Sequence, residues 1–159
     1  MRLEGLVFCT NNDFLRRKAM EETNIKFMDL ISADSLTVAK AIVGTLFKKL
    51  ALGIKLIYAA DTTVLTDYYV VAYARSQTHA RALANELERV LGEAGIPPKH
   101  PEGIEGGEWI LVDAGDVIVH IFSKEAGEFY RFERLFKEEA FLSVADVVKE
   151  LSPEESSEV

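Results

Sequence analysis

The chain has 159 residues, 48% of them hydrophobic and 28% charged, a profile that excludes a mainly disordered or fibrous protein and fits one globular domain. Its net charge of −8 argues against nucleic-acid binding through a dominant basic surface, because phosphates repel a net anion. The single cysteine, Cys9, excludes an intramolecular disulfide, and no apolar run approaches the ~20 residues of a membrane span.

The start, MRLEGLVFCTNNDF, reads as no signal peptide, since its apolar run is too short. A cytoplasmic protein is expected. Leu6–Cys9 reads as a strand, a short helix follows Asn12 or Asp13, and an apolar stretch runs from Ile25 to Ile31. Together residues 1–35 make an N-terminal extension with the pattern of a small β-α-β appendage.

From Ser35 onward the pattern sharpens. Leu36–Leu52 is an apolar helical stretch, with Ser35 as N-cap and Gly53 in the left-handed position that ends it. Ile54–Ala59 is a short strand. Tyr68–Ala74 (YYVVAYA) is a continuous apolar β-prone run, as expected of a strand covered on both faces. Ser76 then caps a helix whose Ala80, Leu83, Ala84, Leu87, Val90, Leu91 and Ala94 form one stripe. Gly95 and Pro97-Pro98 end it, and His79, Arg81, Asn85, Glu88 and Arg89 fall on its solvent side.

The loop Lys99–Gly107 leads into Trp109–Asp113, then a short Gly-containing link, then Asp116–Phe122, which makes a β-hairpin. A two-residue loop would set Asp113 opposite Asp116, Leu111 opposite Ile118 and Trp109 opposite His120. It would also place Trp109, Leu111, Asp113, Ile118, His120 and Phe122 on one face. Lys124–Glu139 reads as one helix capped by Ser123, with Phe129, Phe132 and Phe136 on its buried side. A last helix covers roughly Ser143–Leu151, and the acidic tail Ser152–Val159 is expected to be disordered. The order α-β-β-α-β-β-α implies an α/β fold with a mixed sheet and flanking helices.

Charge divides unevenly. Residues 1–98 carry 12 basic and 11 acidic side chains, whereas residues 99–159 carry 6 basic and 15 acidic. The acidic part reads either as a solvated surface or as a face for a basic partner, where complementarity speeds encounter. Asp113 and Asp116 read either as turn formers or as an opposed acidic pair whose repulsion invites a cation or such a basic partner. Trp109 reads as core or as an interface anchor, and His120 as a hydrogen-bonded core histidine or a functional one.

Enzymatic signatures are missing: no GxSxG, HExxH, CxxC, GxxxxGK[ST] or GxGxxG occurs. Three histidines and one cysteine, spread along the chain, do not form a metal set. No catalytic residue, metal site or cofactor is expected.

Several segments together resemble the ribosomal silencing factor family, the Iojap-type proteins. They are Leu65–Val71 (LTDYYVV), Ser76–Ala84, Glu102-Gly103 followed by Trp109–Asp113, Gly115–Phe122 (GDVIVHIF), and Phe129-Tyr130 with Glu133-Arg134-Leu135. With the preceding helix the resemblance spans about residues 36–138, leaving 139–159 as a C-terminal helix and acidic tail. It implies a nucleotidyltransferase-like fold without that superfamily's catalytic motif, and a non-enzymatic factor. That factor would bind the large ribosomal subunit through a basic protein of the intersubunit face, the fourteenth in large-subunit naming. It would thereby block small-subunit joining and lower translation when nutrients are scarce. Self-association as a dimer is implied too. Carried over by position, the partner contacts are Trp109, Asp113, Asp116 and His120, with Asp67 and Tyr68. The family usually has glycine where Ala74 stands, arginine where Gly127 stands, and Trp or Tyr where Phe136 stands. The rival readings are a nucleotidyltransferase-type enzyme and a scaffold for a non-ribosomal partner.

Overall fold

The computed structural model describes residues 30–151. The N-terminal appendage and the acidic tail therefore lie outside the described residues, apart from a 3-10 turn at Leu30–Ser32. In chain order the elements are α1 (Ser35–Lys48), β1 (Leu52–Tyr58), β2 (Tyr68–Ala74), α2 (Gln77–Glu93), β3 (Trp109–Asp113), β4 (Val117–Ser123), α3 (Lys124–Tyr130), β5 (Phe141–Leu142) and α4 (Val144–Leu151). The fold is mixed α/β, with one five-stranded sheet in the order β3-β4-β2-β1-β5. Only β2 and β4 run parallel; the other neighbours are antiparallel.

The α1 boundaries differ from expectation. Asp34, not Ser35, is the N-cap, and its carboxylate accepts from the Thr37 amide at 2.9 Å. The helix stops at Lys48, because Leu50 takes the left-handed conformation (φ 63°) and Ala51 already leads into β1. Gly53 thus lies inside β1, where the register with β2 shifts between Leu52 and Lys55. By contrast, α2 starts at its Ser76 cap, which accepts from the His79 amide at 3.0 Å, and its stripe is buried from Ala80 to Leu91.

Period-two alternation gives the sheet two unlike faces. Leu56, Val70, Ala72, Ala74, Ile110, Val112, Val117, Val119 and Ile121 point to one side and pack in a single aliphatic core with α1, α2 and α4. Ile57, Val71 and Phe122 point to the other side, where Tyr69, Tyr73, Phe132, Phe136 and Phe141 join them. β5 and α4, beyond residue 138, belong to the same body: β5 pairs with β1 and Val147 of α4 is buried in the aliphatic core.

The second face is covered by an irregular strap rather than the expected long helix. α3 ends at Tyr130, Arg131 adopts the left-handed conformation (φ 46°, ψ 53°), and 3-10 turns follow at Phe132–Leu135 and Glu138–Ala140. A straight helix from 124 to 139 would keep Phe129 with Phe132 and Phe136. Instead Phe129 is 80% exposed, while Phe132 and Phe136 fold back onto Tyr69, with ring centroids at 5.4 and 5.5 Å. The gain is aromatic cover for the open face; the left-handed Arg131 backbone costs on the order of 1 kcal/mol.

Candidate functional site

The Trp109 edge is built by β3, β4 and the loop before them. The hairpin pairs Trp109 with Phe122, Leu111 with His120 and Asp113 with Ile118. The expected register is therefore wrong by two residues, because the turn falls at Gly115 and Asp116 rather than at Ala114 and Gly115, and the Ala114 amide donates to the Val117 carbonyl at 2.9 Å. A shift of two preserves side-chain parity, so the six side chains expected on one face still share it.

Asp113 and Asp116 do not oppose each other. Asp113 closes the turn through the Gly115 amide at 2.9 Å and has Lys99 Nζ at 3.6 Å. Asp116 is exposed, and its backbone carbonyl gathers the amides of Asp67 (2.9 Å) and Tyr68 (3.2 Å) and the Thr66 hydroxyl (2.7 Å). The sequence singled out Asp67 but missed Thr66, which is buried and ties the β1–β2 loop to the hairpin turn. Three carboxylates, Asp67, Asp113 and Asp116, thus border one end of the sheet, beside the exposed Val64 and Leu65.

Trp109 and His120 lie farther along the hairpin: Trp109 is roughly 13 Å from Asp113 by strand rise, and His120, opposite Leu111, roughly 7 Å. The indole Nε1–H donates to His120 Nδ1 at 3.0 Å. Because indole nitrogen can only donate, Nδ1 must accept, and neutral His120 carries its proton on Nε2. That Nε2 is buried without a hydrogen-bond partner among the described residues. Phe132, Tyr69 and Trp109 surround the ring, with centroids at 4.2, 5.4 and 5.8 Å. This apolar enclosure lowers the imidazole pKa from 6.5 to about 4, since burial penalises the cation. His120 is therefore a neutral, buried support for Trp109, not a surface contact.

Trp109 is 37% exposed and lies against Tyr130 with ring centroids 4.8 Å apart and planes tilted by 48°, and Tyr130 in turn meets Phe129 at 5.0 Å. An exposed aromatic ridge results, whereas the sequence pattern places Phe129 on a buried helix face and carries Tyr130 only as a matching position. The outer edge of β3 is closed by the preceding loop. Glu102 and Leu111 exchange backbone hydrogen bonds of 3.0 and 2.9 Å, and the Lys99 amide donates to Asp113 O at 2.9 Å. Gly103 (φ 82°) permits this approach, because any Cβ there would overlap the Trp109 carbonyl oxygen. Arg81 of α2 holds the same loop through the carbonyls of Ile104 (2.9 Å) and Glu105 (2.8 Å). His79 bridges the Lys49 carbonyl (2.8 Å) and the Arg75 amide (3.1 Å), so neither residue is merely solvent-facing.

Tyr68 departs from the group. Its even position turns it to the aliphatic side, where it meets Tyr58 at 5.4 Å. The six candidates therefore divide into an acidic end (Asp67, Asp113, Asp116), an aromatic edge (Trp109, His120) and Tyr68 on the opposite face. Among the described residues no group of three or more His, Cys, Asp or Glu side chains could hold a metal, and no helix is long and apolar enough to cross a membrane.

Comparison with known proteins identifies the family. The family model described as "Ribosomal silencing factor during starvation" matches residues 32–158. The ribosomal silencing factor RsfS of Halalkalibacterium halodurans is 33% identical over 86 residues, covering 54% of this chain and 74% of the relative. That of Zymomonas mobilis is 35% identical over 106 residues, covering 66% and 79%. The mouse protein "Mitochondrial assembly of ribosomal large subunit protein 1" is 29% identical over 94 residues, 57% of this chain and 41% of that one. A crystal structure of a Chromobacterium violaceum protein superposes with a TM-score of 0.63 at 33% identity, covering 65% of this chain and 86% of that one. With the family model spanning nearly all of the described fold, the chain belongs to the ribosomal silencing factor family.

Proposed function

We propose that the protein is a non-enzymatic, cytoplasmic factor that binds the large ribosomal subunit and sterically blocks small-subunit joining. Its contact is the basic intersubunit-face protein that is fourteenth in large-subunit naming. The observation that carries this reading is the exposed Trp109 edge, in a chain of this family whose residues 99–159 hold 15 acidic side chains against 6 basic. A half-exposed tryptophan held rigid from behind is a low-entropy anchor, and nearby carboxylates complement a basic surface. The mouse relative's name, with its large ribosomal subunit, points the same way.

In this reading Trp109 is the anchor and His120 sets its orientation. Asp67, Asp113 and Asp116 supply charge at the hairpin end, and Tyr68 contributes by shaping the strand. The silencing domain is placed at 36–138, with β5 and α4 bracing its sheet. A dimer and a nucleotidyltransferase-like ancestry without the catalytic motif complete the proposal.

The test is sedimentation of the purified protein with large subunits, small subunits and joined ribosomes, at low and moderate salt. Comigration with large subunits alone, and fewer joined ribosomes after small subunits are added, is the expected result. Equal binding to both subunits, or to neither, would overturn it.

A further inference from the structure

A second feature lies behind α3, away from the Trp109 edge. A cleft of about 360 Å³ opens between β2 and α3, lined by Tyr73, Lys124, Gly127, Glu128, Arg131, Glu133 and Arg134. It exists because residue 127 has no side chain. Any Cβ there would overlap the Tyr73 ring, which forms the floor.

The charge of this cleft is out of keeping with its surroundings. Residues 99–159 hold only six basic side chains, and three of them, Lys124, Arg131 and Arg134, converge here. Elsewhere among the described residues, Lys40, Lys49, Arg89 and Lys99 each lie within ion-pair distance of a carboxylate. The three cleft cations, like Lys55, Arg75, Lys137 and Lys149, have no such pair with any described residue, but only these three share one cleft. Glu133, whose carboxylate accepts from the Tyr73 hydroxyl at 2.5 Å, and Glu128 offset part of this charge, and the lining keeps three cations against two carboxylates.

Arg131 adds an independent argument. It occupies the left-handed position that ends α3, where glycine is the residue of least strain. Its Nε donates to the Glu128 carbonyl at 3.0 Å, which fixes the guanidinium plane, while its Nη donors have no partner among the described residues.

We propose that this cleft binds a phosphate group, with Arg131 and Arg134 donating hydrogen bonds to its oxygens and Lys124 supplying a third positive charge. Guanidinium pairs suit phosphate because their planar donors match its oxygens two at a time. The phosphate belongs either to a small phosphorylated metabolite such as a nucleotide or to an RNA strand. The chain's net charge of −8 works against a long polyanion and favours the compact ligand.

The test uses the full chain at low salt with two probes: sodium pyrophosphate by calorimetry, and a labelled 12-nucleotide single-stranded RNA by anisotropy. Arg131→Gly and Arg134→Gln should each weaken binding at least fivefold. Lys137→Gln, which removes a cation outside the cleft, should change it less than twofold. Arg131→Gly should melt no lower than the parent, since glycine relieves the left-handed backbone; Arg134→Gln alters only an exposed side chain and decides the matter if Arg131→Gly does not fold. Pyrophosphate binding with these losses identifies a small phosphorylated ligand, and RNA binding alone with the same losses identifies strand phosphate. Failure of both probes to bind, or an equal loss in Lys137→Gln, would overturn the proposal.

Discussion

The two faces of the sheet are closed by opposite strategies. One is aliphatic and sealed by α1, α2 and α4, with Leu46, Leu56, Leu87 and Ile110 wholly buried. The other is aromatic and covered by α3 and two 3-10 turns, whose Phe132 and Phe136 are only partly buried. The aliphatic face supplies stability, since buried area scales with transfer free energy. The aromatic face surrenders some of that area and in return presents Trp109, Tyr130 and Phe129 at the surface. Where a protein leaves large apolar side chains exposed as a contiguous ridge, recognition is the usual reason.

This contrast can be broken in graded steps. Leu87→Ala, on the sealed face, should cost about 3 kcal/mol in urea unfolding, because the cavity is enclosed on all sides. Phe132→Ala, on the strap, should cost roughly half as much, since its ring is already partly solvated. Equal losses would erase the distinction between the two faces.

A comparable effect should come from pH. His120 stays neutral in the folded protein down to about pH 4, whereas the unfolded imidazole takes up a proton near its ordinary 6.5. Between those values the unfolded chain binds more protons, so stability falls as the solution is acidified, by up to ~3 kcal/mol. His120→Phe should flatten this slope between pH 7 and 4.5. It leaves Trp109 Nε1 without its acceptor, so the comparison is of slopes with pH and not of absolute stabilities. Identical slopes in parent and variant would clear His120 as the source.

Recognition should respond differently from folding. Trp109→Ala should weaken large-subunit binding by more than about 1 kcal/mol, roughly fivefold, with a smaller change in unfolding because the side chain is 37% exposed. A loss of binding matched by an equal loss of stability would return Trp109 to the core. Asp116→Lys should have the smallest effect: stability changed by less than ~0.5 kcal/mol at this exposed turn, and binding reduced mainly at low salt. Salt-independent binding in that variant would remove the acidic end from the interface.

How much of this was legible in the sequence depended on whether neighbours in the chain are neighbours in space. α2 could be read from Ser76 to Gly95, because a cap, an apolar stripe and a stop signal all lie within twenty-odd consecutive positions. The parity of the hairpin could be read too: alternation puts Trp109, His120 and Phe122 on one face whatever the loop length, provided the register moves by an even number. The family's motifs made the Trp109 edge a candidate before any geometry was known.

What the sequence by itself determined, then, is the set of local elements, their apolar faces and the membership those motifs signal, all products of short-range sterics and periodicity. Only the tertiary structure decided that α3 stops at Tyr130, since the demand for aromatic cover over Tyr69 and His120 comes from strands 60 residues and 10 residues away in the chain and overrides helix propensity. The same holds for Tyr68 facing the aliphatic core, for Thr66 tying two loops together through Asp116, and for the His120 Nε2, which meets no hydrogen-bond partner among the described residues. Each depends on which groups meet across the sheet, and no pattern along one strand carries that information.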